Sequence, residues 1–387
     1  MAKQPAYPTQ EQLLGVLSGV IDPELGDDIV SLGMVRSVNC SDTGVVTVDF
    51  AITTASCPLR AQLKGDIVRR IESLPMVSAV RVEMAPMDQE ERSALMSRAR
   101  WKAQKDDSAT TVSPNTRVLA IASGKGGVGK STVAVNLAAA LASQGYSVGL
   151  LDADIAGFSV PQLLGITERL DARNAKILAH KMPMGAGTLH VVSMGLVDGS
   201  EESSAVMLRG LMLNRALQHF LEDVEWGNLD YLLIDMPPGT SDVQMGLARM
   251  LPRSDMLVVT TPNTAAQQVA ARAVDMARRG HLRVAGIIEN MTSVDANTPM
   301  FGTGGGQRLA HDTNVVLLAQ IPLDAAVGQS GDAGLPVVMR SDSPAAIAFG
   351  KLAQQIIEVV SPPVEMAGCT SRLLQALELS PDTQQAD

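Results

Sequence analysis

The sequence predicts an α/β protein whose main part is a doubly wound, mostly parallel sheet, preceded by a small α+β domain. Three observations carry that expectation. From residue 117 onward, short runs apolar on both faces alternate with amphipathic segments, as buried parallel strands and their crossover helices require. A glycine-rich loop, S-G-K-G-G-V-G-K-S-T at 123–132, separates the first run from the first amphipathic segment. Nearer the N-terminus, Val46, Val48, Phe50 and Ile52 alternate as on a half-buried strand, and Leu59, Leu63, Ile67 and Ile71 recur every four residues, as on one helix face.

Taken in order, residues 9–85 read as a helical stretch, the strand through Phe50, the helix through Leu63 and a last strand over Val80 and Val82. Residues 86–116 turn polar, with D-Q-E-E-R and K-A-Q-K-D-D-S, and are expected as a linker with a short helix near Leu95. In the domain over 117–360, strands are expected at 117–122, 147–152, 189–194, 231–235, 255–261, 284–288 and 315–320. Helices are expected at 130–143, 207–222, 241–250 and 264–279, and residues 361–387 as a flexible tail.

Composition excludes several classes. The 387 residues carry 31 basic and 41 acidic side chains, a net charge of -10, which argues against a protein built to coat nucleic acid or anionic lipid. The first ten residues have no signal-peptide pattern, and no apolar run is long enough to span a membrane, so the cytoplasm is the expected compartment. Three cysteines, Cys40, Cys57 and Cys369, are too few and too scattered for a disulfide framework.

In doubly wound sheets the chemistry gathers beyond the carboxyl ends of the strands. Gly124, Gly129, Lys130 and Ser131 fit G-x-x-x-x-G-K-[ST] between a strand and a helix, the setting that makes a P-loop. The amides of Gly124, Lys125, Gly126, Gly127, Val128, Gly129, Lys130, Ser131 and Thr132 can then wrap a phosphate chain. Lys130 neutralises its outer oxygens, and Ser131 can ligate magnesium. Asp152 and Asp154 stand in L-L-D-A-D-I-A-G at the end of the next strand. Asp235 ends Y-L-L-I-D, in the position of an aspartate that holds magnesium through water, and Pro237, Pro238 and Gly239 follow as a stiff turn. Each aspartate alone could be a cap or turn former. Together they are better explained by a Mg-ATP site. One lysine suffices for one phosphate chain, which leaves Lys125 to be explained.

These motifs resemble the deviant P-loop ATPases that include MinD, ParA and nitrogenase iron protein, and most closely the Mrp/ApbC group of iron-sulfur cluster carriers. R-G-L-M near 209, W-G-N-L-D-Y at 226, P-P-G-T-S-D-V-Q at 237, I-I-E-N-M-T at 287, F-G-T-G-G-G at 301 and I-P-L-D at 321 are similar to that group's blocks. Residues 9–85, with I-D-P-E-L-G-D-D-I-V and T-T-A-S-C-P, resemble the domain of SufT-type assembly factors. The resemblance implies a homodimer in which Lys125 reaches the partner's nucleotide. It also implies that Asp154 orients the attacking water, that Asp152 belongs to the first switch and to the magnesium surroundings, and that Asn290 bonds the adenine. Slow ATP hydrolysis, apoprotein acceptors and iron-sulfur assembly partners follow from it, with neither membrane nor nucleic acid expected as a partner.

Two departures stand out. Phe158 replaces a proline usual in the first switch, which leaves that loop less restrained. The C-x-x-C pair that many carriers place before F-G-T-G-G-G is absent; T-S-V-D-A-N-T-P-M stands there instead, so four thiolates cannot be shared at that place. Cys57, ahead of Pro58 and expected at a helix N-terminus, is either an iron-sulfur ligand or transfer thiol, or a buried structural cysteine. Cys40 and Cys369 have no partner at ligand spacing, and Asp295, His281 and His311 are expected to face solvent. The alternative function is a MinD/ParA-like positioning ATPase. Its usual anchors are not visible: the tail from Ser371 has one arginine against three acidic residues.

Overall fold

In the computed structural model, residues 7–53, 58–105, 110–154, 157–173, 176–197, 210–239, 242–293, 300–340 and 342–364 are described, with backbone alone for 100–105, 210–213 and 242. The first part of the chain forms α1 (Gln10–Leu17), β1 (Val35–Cys40), β2 (Val45–Ile52), α2 (Arg60–Glu72) and β3 (Ala79–Pro86). Strand β2 pairs antiparallel with β1 and parallel with β3. Thr9 opens α1 through a capping box with Gln12, satisfying amides that the first turn leaves free. Leu63, Ile67 and Ile71 are buried on one face of α2 against Val46, Val48 and Phe50 of β2, so helical and strand periods meet in one core.

Within the expected linker, α3 (Gln89–Lys105) is longer than the short helix anticipated, and Leu95 is 1% exposed within the small domain's core. Its few apolar residues carry little periodic signal, because one anchoring leucine suffices once the surface beneath it exists. Helix α2 starts at Arg60 with Leu59 as its cap, so Pro58 precedes the first helical position expected for it. Cys57 lies outside the described residues, as do Asp295 and Cys369.

The larger part contains β4 (Arg117–Ser123), α4 (Lys130–Ser143), β5 (Ser147–Asp152), β6 (His180–Met184), β7 (Gly187–Ser193), α5 (Gly210–Glu222), β8 (Tyr231–Asp235), α6 (Asp242–Met250), β9 (Asp255–Thr260), α7 (Thr264–Arg279), β10 (Arg283–Thr292), α8 (Gly305–Thr313), β11 (Leu317–Pro322) and α9 (Pro344–Gln355). The eight strands lie in the order β6-β7-β5-β8-β4-β9-β10-β11, and only β6 runs antiparallel to its neighbour. The seven parallel strands occupy the seven expected runs. Strand β6 was not foreseen; its H-K-M-P-M sequence includes Pro183, which is tolerated because the strand is at an edge. Two buried clusters cover the two faces of the sheet, one including α4 and α9, the other including α6 and α7.

The chain winds outward on both sides of β4, so the crevice at its carboxyl end is the topological switch point. The small domain meets the other end of the same sheet. Asp66 of α2 pairs with Arg117, the first residue of β4, at 3.2 Å, and Arg70 lies 3.5 Å from Asp255, the first residue of β9. A seven-residue strand at about 3.3 Å per residue puts that junction roughly 20 Å from the crevice.

Candidate functional site

Three strand ends converge at the crevice. Register pairs Asp235 with Asp152 and Asp152 with Ser193, so three polar side chains follow apolar runs in adjacent strands. The loop from β4 to α4 arches over them. Gly127 and Gly129 both have φ of +78°, the left-handed region in which glycine is unstrained. A Cβ added at Gly126 or Gly127 would meet nothing within 4 Å, whereas one at Gly124 would strike the backbone of Val269 and Ala270. The loop is therefore pressed onto α7 at one end and open at its crest. Gly129 caps α4 without a side-chain acceptor, leaving the first-turn amides to an incoming anion.

Beneath the loop, Lys130 is 6% exposed and its ammonium bonds Asp235 Oδ1, with Ser131 Oγ at 3.3 Å and Asp154 Oδ2 at 3.9 Å. Asp235 is fully buried, and its Oδ2 has no hydrogen-bond partner. Burial pushes the Asp235 carboxyl above the usual range, while Lys130 opposes that rise. The orphaned Oδ2 is the acceptor that a water of a magnesium shell would donate to, with Ser131 Oγ nearby, so these residues fit the ion.

Asp152, expected in the first switch and near magnesium, spends its carboxylate within the protein. Its Oδ1 accepts the Asp154 amide, and its Oδ2 accepts the Val160 amide and the Ser193 hydroxyl. Both oxygens are committed to holding the loop that begins at Asp154, which leaves Asp235 as the carboxylate able to face a cation. Burial, with Asp235 beside it, pushes the Asp152 carboxyl up to about 7. Asp154 is 17% exposed at its side chain, with Oδ2 3.9 Å from the Lys130 ammonium. Phe158 is 50% exposed, with Gly195 beneath its ring, where no Cβ would fit.

Asn290 also departs from expectation. Its Nδ2, the donor that adenine recognition would use, is given to Val128 O at 3.0 Å, beside the α-carbon of Gly129. In this structure it braces the loop from below. One residue earlier, the fully buried Glu289 accepts the Gly305 amide and the Gln320 side chain, tying the start of α8 to the same strand. Ser193 and Glu289 were missed by the sequence reading, yet both are polar residues ending apolar runs, the signal that singled out Asp235. Among the described residues no partner answers the Lys125 ammonium, which is half-buried beside the loop crest. Cys40 ends β1 as a free thiol, raised by burial and by Asp42, and His311 faces solvent beside Asp312. His281 instead packs against Gly15 of α1. No group of three or more metal-ligating side chains exists among the described residues.

A parallel sheet with a glycine-lined loop at its switch point, a buried lysine in the loop and an aspartate on the adjacent strand define a P-loop NTPase. The family model for the NUBPL iron-transfer P-loop NTPase matches residues 115–357, and that for an iron-sulfur cluster assembly protein matches residues 10–84. A protein named iron-sulfur cluster carrier protein from Mycobacterium leprae is 42% identical over 341 residues, covering 85% of this chain and 87% of its own. One of the same name from Synechocystis is 37% identical over 361 residues, covering 91% and 98%. Among solved structures, a nucleotide-binding protein from Archaeoglobus fulgidus in complex with ADP is 32% identical, covers 58% of this chain and 89% of its own, and has a TM-score of 0.49. The chain belongs to the NUBPL iron-transfer P-loop NTPase family.

Proposed function

We propose that the protein binds and slowly hydrolyses Mg-ATP as a homodimer, and that this cycle governs the carriage of iron-sulfur clusters to apoproteins in the cytoplasm. The observation that carries the nucleotide part is the exchange poised at Lys130. In this structure its charge is spent on Asp235. With Mg-ATP bound, Lys130 would pair with phosphate oxygens, and Asp235 and Ser131 would hold the ion. Bound magnesium supplies positive charge to the phosphate oxygens. The helix N-terminus and loop amides supply fixed dipoles, and Asp154 aligns the attacking water. The Asp152 bonds to Asp154 and Val160 keep that carboxylate in place. No histidine base stands among these residues, which suits a switch with slow turnover, because positioning and charge suffice for a loose phosphoryl transfer.

Lys125 supports the dimer reading. Its ammonium is unspent within its own subunit among the described residues, and a second subunit across the crevice would give it a phosphate to meet. The carrier reading rests on family membership and on the names of the relatives. With no C-x-x-C pair, the cluster is cargo for Cys57, or is passed through a partner. Anaerobic reconstitution of the wild type and of Cys57→Ala, with iron and sulfide counted per chain, tests this. Cluster retained by the wild type and lost by the variant supports Cys57 as ligand. No cluster in either, with ATP hydrolysis intact, leaves a nucleotide switch of the positioning kind.

A further inference from the structure

Where α2 meets the amino ends of β4, β9 and β10, the fold encloses a cavity of about 30 Å³. That is room for one small ion or a few waters, and far too little for a nucleotide. Its charged lining is one-sided: Arg69, Arg70, Arg117, Arg253 and Arg283 face only Asp66 and Asp255. The chain as a whole carries a net charge of -10, so this local excess runs against the composition.

The two carboxylates are already shared. Asp66 takes Arg69 and Arg117, and Asp255 takes Arg283 at 2.8 Å with Arg70 at 3.5 Å. Arg253 has no carboxylate; its Nη2 donates to the carbonyls of Val112 and Ser113. Three guanidinium nitrogens, Arg70 Nη1, Arg253 Nε and Arg283 Nε, are buried without any acceptor, and Asp255 Oδ1 receives no hydrogen bond, only the Arg70 Nη2 of the ion pair at 3.5 Å. Arg70 is 7% exposed at its side chain and lies against Gly19, where no Cβ would fit. Burying guanidinium nitrogens without acceptors is unfavourable, and burial, with repulsion from Arg70, brings the Arg253 guanidinium down to about 10. Planar guanidinium groups are the usual partners of oxyanions. Asp255 Oδ1, which has an ion pair but no hydrogen bond, would take a donor, which a protonated oxyanion has and sulfate lacks.

We propose that this junction is a binding site for one inorganic phosphate, held by Arg70, Arg253 and Arg283 with its hydroxyl on Asp255, and that the bound anion fastens the small domain to the sheet. The site lies at the opposite end of the strands from the P-loop and is independent of the function proposed above.

The test uses the full chain saturated with Mg-ADP, so that the P-loop is filled. Equilibrium dialysis of labelled phosphate should find one further site per chain, and Tm should rise with phosphate beyond an ionic-strength-matched chloride control. Sulfate should bind more weakly, and Asp255→Asn should narrow the difference between the two anions. Arg253→Met, which removes a cation without touching the interdomain ion pairs, should weaken phosphate by about tenfold or more. The proposal is overturned if wild type shows no labelled phosphate beyond background, or if phosphate and chloride shift Tm equally. The dialysis result on wild type decides the matter even if the variant fails to fold.

Discussion

Lys130 and Asp235 form a buried ion pair beneath the loop that joins β4 to α4, and the second oxygen of Asp235 has no partner. In the proposed cycle these are the two charges that Mg-ATP would separate. The pair also makes the nucleotide-free site dependent on both residues at once.

Removing one member should therefore cost stability as well as binding. Lys130→Met is expected to destabilise the nucleotide-free protein by about 3–5 kcal/mol, because Asp235 is left buried and unpaired. Adding Asp235→Asn should recover a large part. Urea unfolding of the wild type, both single variants and the double variant measures the coupling; strictly additive losses would contradict the pairing.

Lys125 makes no such contribution within its own subunit. Lys125→Ala should leave Tm and ATP affinity of the monomer near wild type while abolishing association on a nonhydrolysable ATP analogue and lowering turnover, by as much as about 10³-fold on the scale of trans-acting cations. Light scattering with and without the analogue separates the two effects. Unchanged association would remove the proposed role.

For Asp152 the expectation concerns pH. Its folded value of about 7 stands above the ordinary value of 3.8, so between these pH values the folded state holds more proton than the unfolded one. Nucleotide-free stability should consequently fall as pH rises through that window. Asp152→Asn should flatten the profile, and so should Mg-ADP, which brings a cation to the neighbouring Asp235. Thermal melts from pH 4 to 8 give the slope directly; a profile that Asp152→Asn leaves unaltered would assign the dependence elsewhere.

Asn290 offers a way to tell bracing from base reading. Losing its bond to Val128 O is worth about 1 kcal/mol, so Asn290→Ala should weaken ATP and GTP alike, by roughly five- to tenfold. If Asn290 reads adenine instead, the ATP to GTP preference collapses in the variant. Titration of both nucleotides decides.

The parts of this site that were legible in advance share a local origin. Gly127 and Gly129 are demanded by backbone dihedrals, Lys130 and Ser131 by the first turn of α4, and Asp235 by its place at the end of an apolar run. The bond of Asn290 to Val128 was not legible, because that partner is a backbone carbonyl 162 residues away, and carbonyls leave no mark in the sequence. For Asp152 the place was legible and the hydrogen-bond partners were not. The amides of Asp154 and Val160 and the hydroxyl of Ser193 reach it only once the loop has folded back. The pairing of Leu95 with the small core was legible only as an isolated apolar residue in polar surroundings.

By itself the sequence determined the doubly wound fold, the phosphate loop and the residues that would surround a nucleotide, since periodicity, glycine placement and strand-end polarity act over a few neighbouring positions. Only the tertiary structure decided which carboxylate keeps an unpartnered oxygen and which is consumed in holding a loop. It alone placed the small domain at the far end of the sheet, where Asp66 and Arg70, one turn apart on α2, meet Arg117 and Asp255 on adjacent strands. Those outcomes depend on distances between segments remote in the chain, and a buried charge takes its role from whatever partner packing brings to it.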